Sequence, residues 1–95
     1  MDFCEVIKKL YKTVEKRKKE MPEDSYTASL FKKGEDKILQ KVGEEAVEVI
    51  LAFKSGEKEE MVYEISDLIY HLTVAMVNQG LTFDDIALEL KRRMG

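Results

Sequence analysis

Residues 57–80 read EKEEMVYEISDLIYHLTVAMVNQG, and this stretch decides the fold. At helical spacing, with Glu64 as origin, Met61, Ile65, Leu68, Ile69, Leu72, Ala75 and Met76 fall on one side. Tyr63, Tyr70, Val74 and Val77 fall on the other. Between them runs a narrow polar stripe of Glu60, Glu64, Asp67, His71 and Asn78. A helix apolar on both flanks is largely buried. Glu64 and Asp67, one turn apart, then face the interior of a helical bundle, and a buried carboxylate without a partner is costly.

The stretch before it carries the complement. Residues 35–54 form a second long helix, closed by Ser55-Gly56. With Glu45 at zero, Ile38, Leu39, Val42, Ala46, Val49, Ile50 and Phe53 fill an arc from about +20° to +140°. Lys37, Lys41, Glu44, Glu45 and Glu48 fill the adjoining arc, with Glu45 at the apolar edge. Like charges one turn apart repel. The short turn at Ser55-Gly56 predicts antiparallel helices, so Glu44, Glu45 and Glu48 face Glu64 and Asp67. The economical partner for such a cluster is a hard divalent cation, Mg²⁺ or Mn²⁺, because all-oxygen ligation disfavours zinc. Taken alone, the Glu44-Glu45-x-x-Glu48 run also reads as a solvated helix face.

The rest of the chain is helical too. Residues 2–20 place Phe3, Val6, Ile7, Leu10 and Val14 at helical spacing. Met21-Pro22-Glu23-Asp24 breaks the pattern, and residues 25–33 read as a short helical turn stopped by Gly34. Thr82 is placed as an N-cap, with Asp84 and Asp85 at the positive end of a last helix through Arg93. The expected architecture is all-α: a bundle of about four main helices with short links, forming one domain over residues 1–95.

Composition excludes several classes. The formal charge of −3 gives no reason to expect nucleic-acid binding. Lys16-Arg17-Lys18-Lys19 and Lys91-Arg92-Arg93 end helices, where positive charge is favourable. The lone Cys4 excludes an intramolecular disulfide framework and suits a reducing compartment. MDFCEV lacks the basic start and apolar run of a secretory signal. The longest nearly apolar run, Leu68 to Val77, is far short of the ~20 residues that span a bilayer. A soluble cytoplasmic protein, not a membrane protein, is expected.

Glu44-Glu45-Ala-Val-Glu48 followed by Glu64-Ile-Ser-Asp67 resembles the E-E-x-x-E and E-x-x-D motif of the all-α nucleoside triphosphate pyrophosphohydrolase superfamily. SYTASLFKKGEDKILQKVGEEAVEVILA (25–52) and YEISDLIYHLTVAMVNQGLTFDDIALEL (63–90) are similar, more narrowly, to the phosphoribosyl-ATP pyrophosphohydrolase family. The resemblance runs from about Ser25 to the end and, with no fused cyclohydrolase part in view, implies a stand-alone form. It implies Mg²⁺-dependent hydrolysis of the α–β phosphoanhydride of phosphoribosyl-ATP, giving phosphoribosyl-AMP and pyrophosphate, the second step of histidine biosynthesis. It implies Glu45, Glu48, Glu64 and Asp67 as metal ligands, with Glu44 left to activate water.

The resemblance further favours phosphate contacts from Lys37 and Lys41, with Lys33 a weaker candidate. Lys37 and Lys41 could equally pair with Glu44 and Glu45 on their own helix. His71, one turn after Asp67, is a candidate for bonding a ligating carboxylate, for reaching substrate, or for a satisfied place in the core. Tyr26, Tyr63 and Tyr70 could stack on adenine, although Tyr63 and Tyr70 fit a core or interface better. The resemblance also implies a homodimer, which would cover a helix apolar on both flanks. Two rivals stand beside this reading: a house-cleaning pyrophosphohydrolase for dUTP or noncanonical triphosphates, and a non-catalytic helical interaction module.

Overall fold

Caps decide where the helices start and stop. In the computed structural model, which describes residues 2–95, the order is α1 (Phe3–Glu20), α2 (Tyr26–Lys33), α3 (Glu35–Ser55), α4 (Lys58–Gln79) and α5 (Phe83–Met94). There is no strand among the described residues, so the fold is all-α. The Asp2 carboxylate accepts from the Cys4 N–H at 3.1 Å, and Ser25 Oγ from the Ala28 N–H at 3.1 Å. Thr82 and Asp85 close a reciprocal capping box at the start of α5. Each cap satisfies backbone donors that the first helical turn leaves without partners.

The boundaries agree with the sequence reading to about a residue. The short helical segment read at 25–33 is α2, eight residues long and stopped at Gly34. Its Ser25 cap starts it, and its two buried residues, Ala28 and Leu30, fix it to the bundle. The link between α3 and α4 is only Gly56 and Glu57. Gly56 takes φ 74°, a left-handed backbone that costs glycine nothing and an L side chain dearly. The chain therefore reverses tightly, and α4 returns along α3.

Four helices meet in the core. Val14 of α1, Leu30 of α2, Ile38 of α3, and Val74 and Val77 of α4 form one buried cluster. Leu10, Tyr11, Phe31, Tyr70 and Ala75 pack against it. Thr73 is fully buried beside them, its hydroxyl donating to the Ile69 carbonyl at 2.7 Å. α5 contributes no buried residue. It is tethered at its start, where the Tyr11 hydroxyl donates to the Leu81 carbonyl at 2.6 Å and the Tyr11 ring meets Phe83 edge-on.

The expected burial of α3 and α4 is only half met within one chain. The C-terminal half of α4 is enclosed, with His71, Thr73, Val74, Met76 and Val77 buried. Its N-terminal half leaves Val62, Tyr63 and Ile65 exposed. On α3, Leu39, Ile50 and Phe53 belong to the apolar arc yet stay exposed, joined by Val47 and Leu51. α1 packs mainly on α4, and α2 on α3 and α4, which leaves these positions uncovered. No helix among the described residues is long and apolar enough to cross a membrane.

Candidate metal and phosphate site

The reversal at Gly56 sets the register of the site. Glu45 on α3 lies against Asp67 on α4, and Glu48 shares a groove with Glu64. That is the order an antiparallel pair requires. Glu45 is 7% exposed. Burial pushes its carboxyl above the ordinary range, and the neighbouring Asp67 pushes in the same direction. Lys41, one turn earlier with Nζ 3.4 Å from Glu45 Oε1, opposes both.

Glu64 carries the plainest sign of an incomplete arrangement. Its Oε2 is buried with no hydrogen-bond partner, alone in this among the side-chain oxygens and nitrogens of the described residues. Burial raises its pKa, and the charges of Glu48, Asp67 and Glu60 raise it further. An oxygen kept from water, with anions and no donor around it, fits a cation. The donor set is mostly carboxylate, which suits a hard divalent ion. An open groove of about 430 Å³ leads to it, lined by Glu48, Leu51, Ala52, Glu59, Glu60, Tyr63 and Glu64.

The predicted residues separate into groups. Glu45, Asp67 and His71 come together, each offering one potential ligand atom, all within 4.8 Å of one another. Glu48 and Glu64 continue the acidic seam toward the groove. Glu44 points away into solvent, where Gln40 Nε2 donates to it at 2.9 Å and Lys41 Nζ stands 3.3 Å away. Those two contacts hold its carboxyl below the ordinary range. Lys41 thus makes the intrahelical pairs weighed for it. Burial alone would lower its pKa, but Glu44, Tyr26 and Glu45 hold it above the ordinary lysine value. Lys37 is half-buried near Glu44. Lys33 is exposed at the end of α2. Neither enters an ion pair among the described residues.

His71 is buried, and both its ring nitrogens are engaged. Nδ1 stands 2.9 Å from the Asp67 carbonyl oxygen and 3.4 Å from Asp67 Oδ1, and Nε2 lies 3.2 Å from the Tyr26 hydroxyl. The Tyr26 ring stacks near that of Tyr70 at 6.3 Å, and the Thr27 and Tyr70 hydroxyls share a hydrogen bond. Sequence reasoning weighed Tyr26 only for stacking and missed its bond to His71. The available signal was its place, one residue after the helix-starting Ser25. Glu60 stood in the polar stripe of α4 but was left out of the site, although it lines the groove beside Glu64.

Comparison with known proteins agrees with the motif. Residues 7–94 match the family model described as phosphoribosyl-ATP pyrophosphohydrolase. The chain is 54% identical over 92 residues to the histidine biosynthesis bifunctional protein HisIE of Caldanaerobacter subterraneus, covering 97% of this chain and 45% of that one. It is 54% identical over 84 residues to the protein of the same description from Thermotoga maritima, covering 88% of this chain and 43% of that one. It therefore spans less than half the length of these two relatives. It is also 52% identical over 89 residues to the phosphoribosyl-ATP pyrophosphatase of Leptospira biflexa, covering 94% of this chain and 97% of that one.

Proposed function

The chain belongs to the phosphoribosyl-ATP pyrophosphohydrolase family, and from that premise we propose that it hydrolyses phosphoribosyl-ATP to phosphoribosyl-AMP and pyrophosphate. Water attacks at the α–β phosphoanhydride, the bridging bond breaks, and pyrophosphate leaves. The observation that carries the reading is the buried, unpartnered oxygen of Glu64 within a seam of carboxylates from two facing helices. A surface charge cluster on a mere interaction module has no reason to bury such an oxygen.

In this proposal Glu45, Glu48, Glu64 and Asp67 hold Mg²⁺, with Mn²⁺ able to replace it. The bound ion supplies polarisation of the phosphoryl oxygens and offsets the charge of the leaving pyrophosphate. The chain's own groups do the rest. Lys41 and Lys37 stand on the helix face leading to the seam, where a polyphosphate passes, and Lys33 is the outermost candidate. Glu44, the one carboxylate of the five not assigned to the ion, would have to turn from Gln40 and Lys41 to orient the attacking water. Burial and neighbouring anions raise the carboxyls of Glu45 and Glu64, and a bound cation would offset both effects.

The proposal includes a homodimer acting in the cytoplasm. Val47, Ile50, Leu51 and Phe53 of α3 and Val62, Tyr63 and Ile65 of α4 are exposed, and α5 buries nothing. Exposed apolar surface of that extent on one hairpin supports a second subunit. The direct test is pyrophosphate release from phosphoribosyl-ATP, with and without Mg²⁺, beside ATP and dUTP. Mg²⁺-dependent release from phosphoribosyl-ATP alone is expected. Release from dUTP instead would move the same site to a house-cleaning role. No release from any substrate would remove the catalytic reading.

A further inference from the structure

We propose that Tyr26 is a positioning residue for the carboxylate seam, acting through His71, and that His71 orients Asp67 without being a ligand itself. The inference rests on the metal reading above and adds to it a donor chain that runs from α2 into the site.

His71 is 3% exposed, so its ring nitrogens must find partners inside the protein. The partner of Nδ1 is the Asp67 carbonyl, at 2.9 Å. A carbonyl oxygen only accepts, so Nδ1 carries the hydrogen. The same N–H faces Asp67 Oδ1 at 3.4 Å and so bears on the carboxylate as well as the backbone. In the neutral ring Nε2 is then the lone-pair nitrogen, and the Tyr26 O–H donates to it across 3.2 Å. Tyr70 and Tyr26 both meet the imidazole edge-on, at 4.9 and 6.0 Å, and fix its plane.

This geometry separates two roles for His71. By distance alone the ring could join Glu45 and Asp67 around an ion, since the three sets of atoms lie within 4.8 Å. By hydrogen-bond accounting it cannot, because Nδ1 carries a proton toward Asp67 and the Nε2 lone pair is taken by Tyr26. What the ring can do is hold Asp67 in one orientation. The Asp67 carbonyl sets the tautomer, and the Tyr26 hydroxyl anchors the opposite side of the ring and so holds Nδ1–H against Asp67. Without that hydroxyl, Nε2 is a buried acceptor lacking a donor. The ring then loses its anchor on α2 and can turn away from Asp67.

Tyr26 is suited to a clean test. It is half exposed, so Tyr26→Phe opens no cavity, and its ring can keep its place beside Tyr70. The chain contains a single histidine, so a long-range ¹H–¹⁵N spectrum shows one imidazole. In the neutral form of the wild-type ring the proton should sit on Nδ1, and Mg²⁺ should leave it there. Tyr26→Phe should keep the proton on Nδ1, shift the Nε2 resonance as its donor is lost, and weaken Mn²⁺ binding, read by electron paramagnetic resonance, by roughly 10-fold, the lower end of what a supporting hydrogen bond contributes. His71→Asn, whose amide nitrogen can stand near the position of Nδ1, should bind Mn²⁺ more tightly than His71→Ala. Circular dichroism should show the same helix content in all variants.

A wild-type proton on Nε2 would overturn the inference, as would a ring nitrogen shifted by direct Mg²⁺ ligation. Unaltered Mn²⁺ affinity in Tyr26→Phe would overturn it while leaving the metal reading intact. Failure of the wild type itself to bind Mn²⁺ would overturn the metal reading beneath it, and the ring spectrum would still report whether the lock exists.

Discussion

Lys41 Nζ stands 3.4 Å from Oε1 of Glu45, one turn away on α3, so a largely buried carboxylate has its counter-ion on its own helix. Replacing Lys41 by Met keeps the aliphatic stem and removes the ammonium. The metal-free protein should lose about 1 kcal/mol at neutral pH, because Glu45 is enclosed enough for its pair to exceed a surface salt bridge. Mg²⁺ should bind the variant at least as tightly, since a competing positive charge has gone. The KM for phosphoribosyl-ATP should nevertheless rise. An unchanged KM would confine Lys41 to ion pairing.

The carboxyls of Glu45 and Glu64 are raised, and the sign of their effect on stability follows. A group with a folded pKa above its unfolded value favours the folded state while protonated. Its contribution is present at low pH and is lost as pH rises above the ordinary carboxylate range. The metal-free protein therefore carries a penalty from both groups at neutral pH. Glu64→Gln should raise the metal-free Tm at pH 7 and flatten its pH dependence just above the carboxylate range. The same variant should lose the stabilisation by Mg²⁺ that the wild type gains, about 2.7 kcal/mol at 100 times Kd. Thermal melts with and without Mg²⁺ measure both effects, and a lower metal-free Tm for Glu64→Gln would contradict this account.

Asp67→Asn and Glu48→Gln each remove one anionic donor with little change in shape. Turnover should fall by more than the ~10–100-fold that loss of a supporting hydrogen bond costs. Helix content by circular dichroism should stay the same, since neither side chain belongs to the apolar core. Near-normal activity in both variants would remove the metal-site assignment.

Ile50 is 59% exposed and Phe53 56% exposed on the outer face of α3. A charge at either position should cost an isolated subunit little and a subunit interface a great deal. Ile50→Glu should shift the sedimentation velocity profile from dimer to monomer with the helix content retained. A wild-type protein that sediments as a monomer at micromolar concentration would contradict the dimer.

What was legible in the sequence is what helical periodicity controls. The wheel of α3 placed Glu45 at the edge of the apolar arc and Glu44 within the polar one, and the structure buries Glu45 and exposes Glu44. The stripe on α4 turned Glu64 inward, where its Oε2 is buried. Such facts depend on neighbours three and four residues away. The Tyr26–His71 bond spans 45 positions and depends on how α2 docks against α4, which no local period encodes. The exposure of Leu39, Ile50 and Phe53 was illegible for another reason. A wheel shows that a face is apolar but not which body covers it.

The two-residue link at Gly56-Glu57 also bears on how quickly the site can form. All four proposed ligands lie within one helical hairpin, whereas the Tyr11–Leu81 bond must close 70 positions of chain. Contacts that close short loops form early and cheaply, and chains rich in them fold fast. The hairpin is thus the natural nucleus of the folding transition state, yet its zipping drives four like charges together. Electrostatic repulsion then sits on the folding barrier itself and not only in the finished structure. Mg²⁺ should raise the refolding arm of a chevron plot and lower its unfolding arm, acting as an accelerator of folding as well as a brake on unfolding.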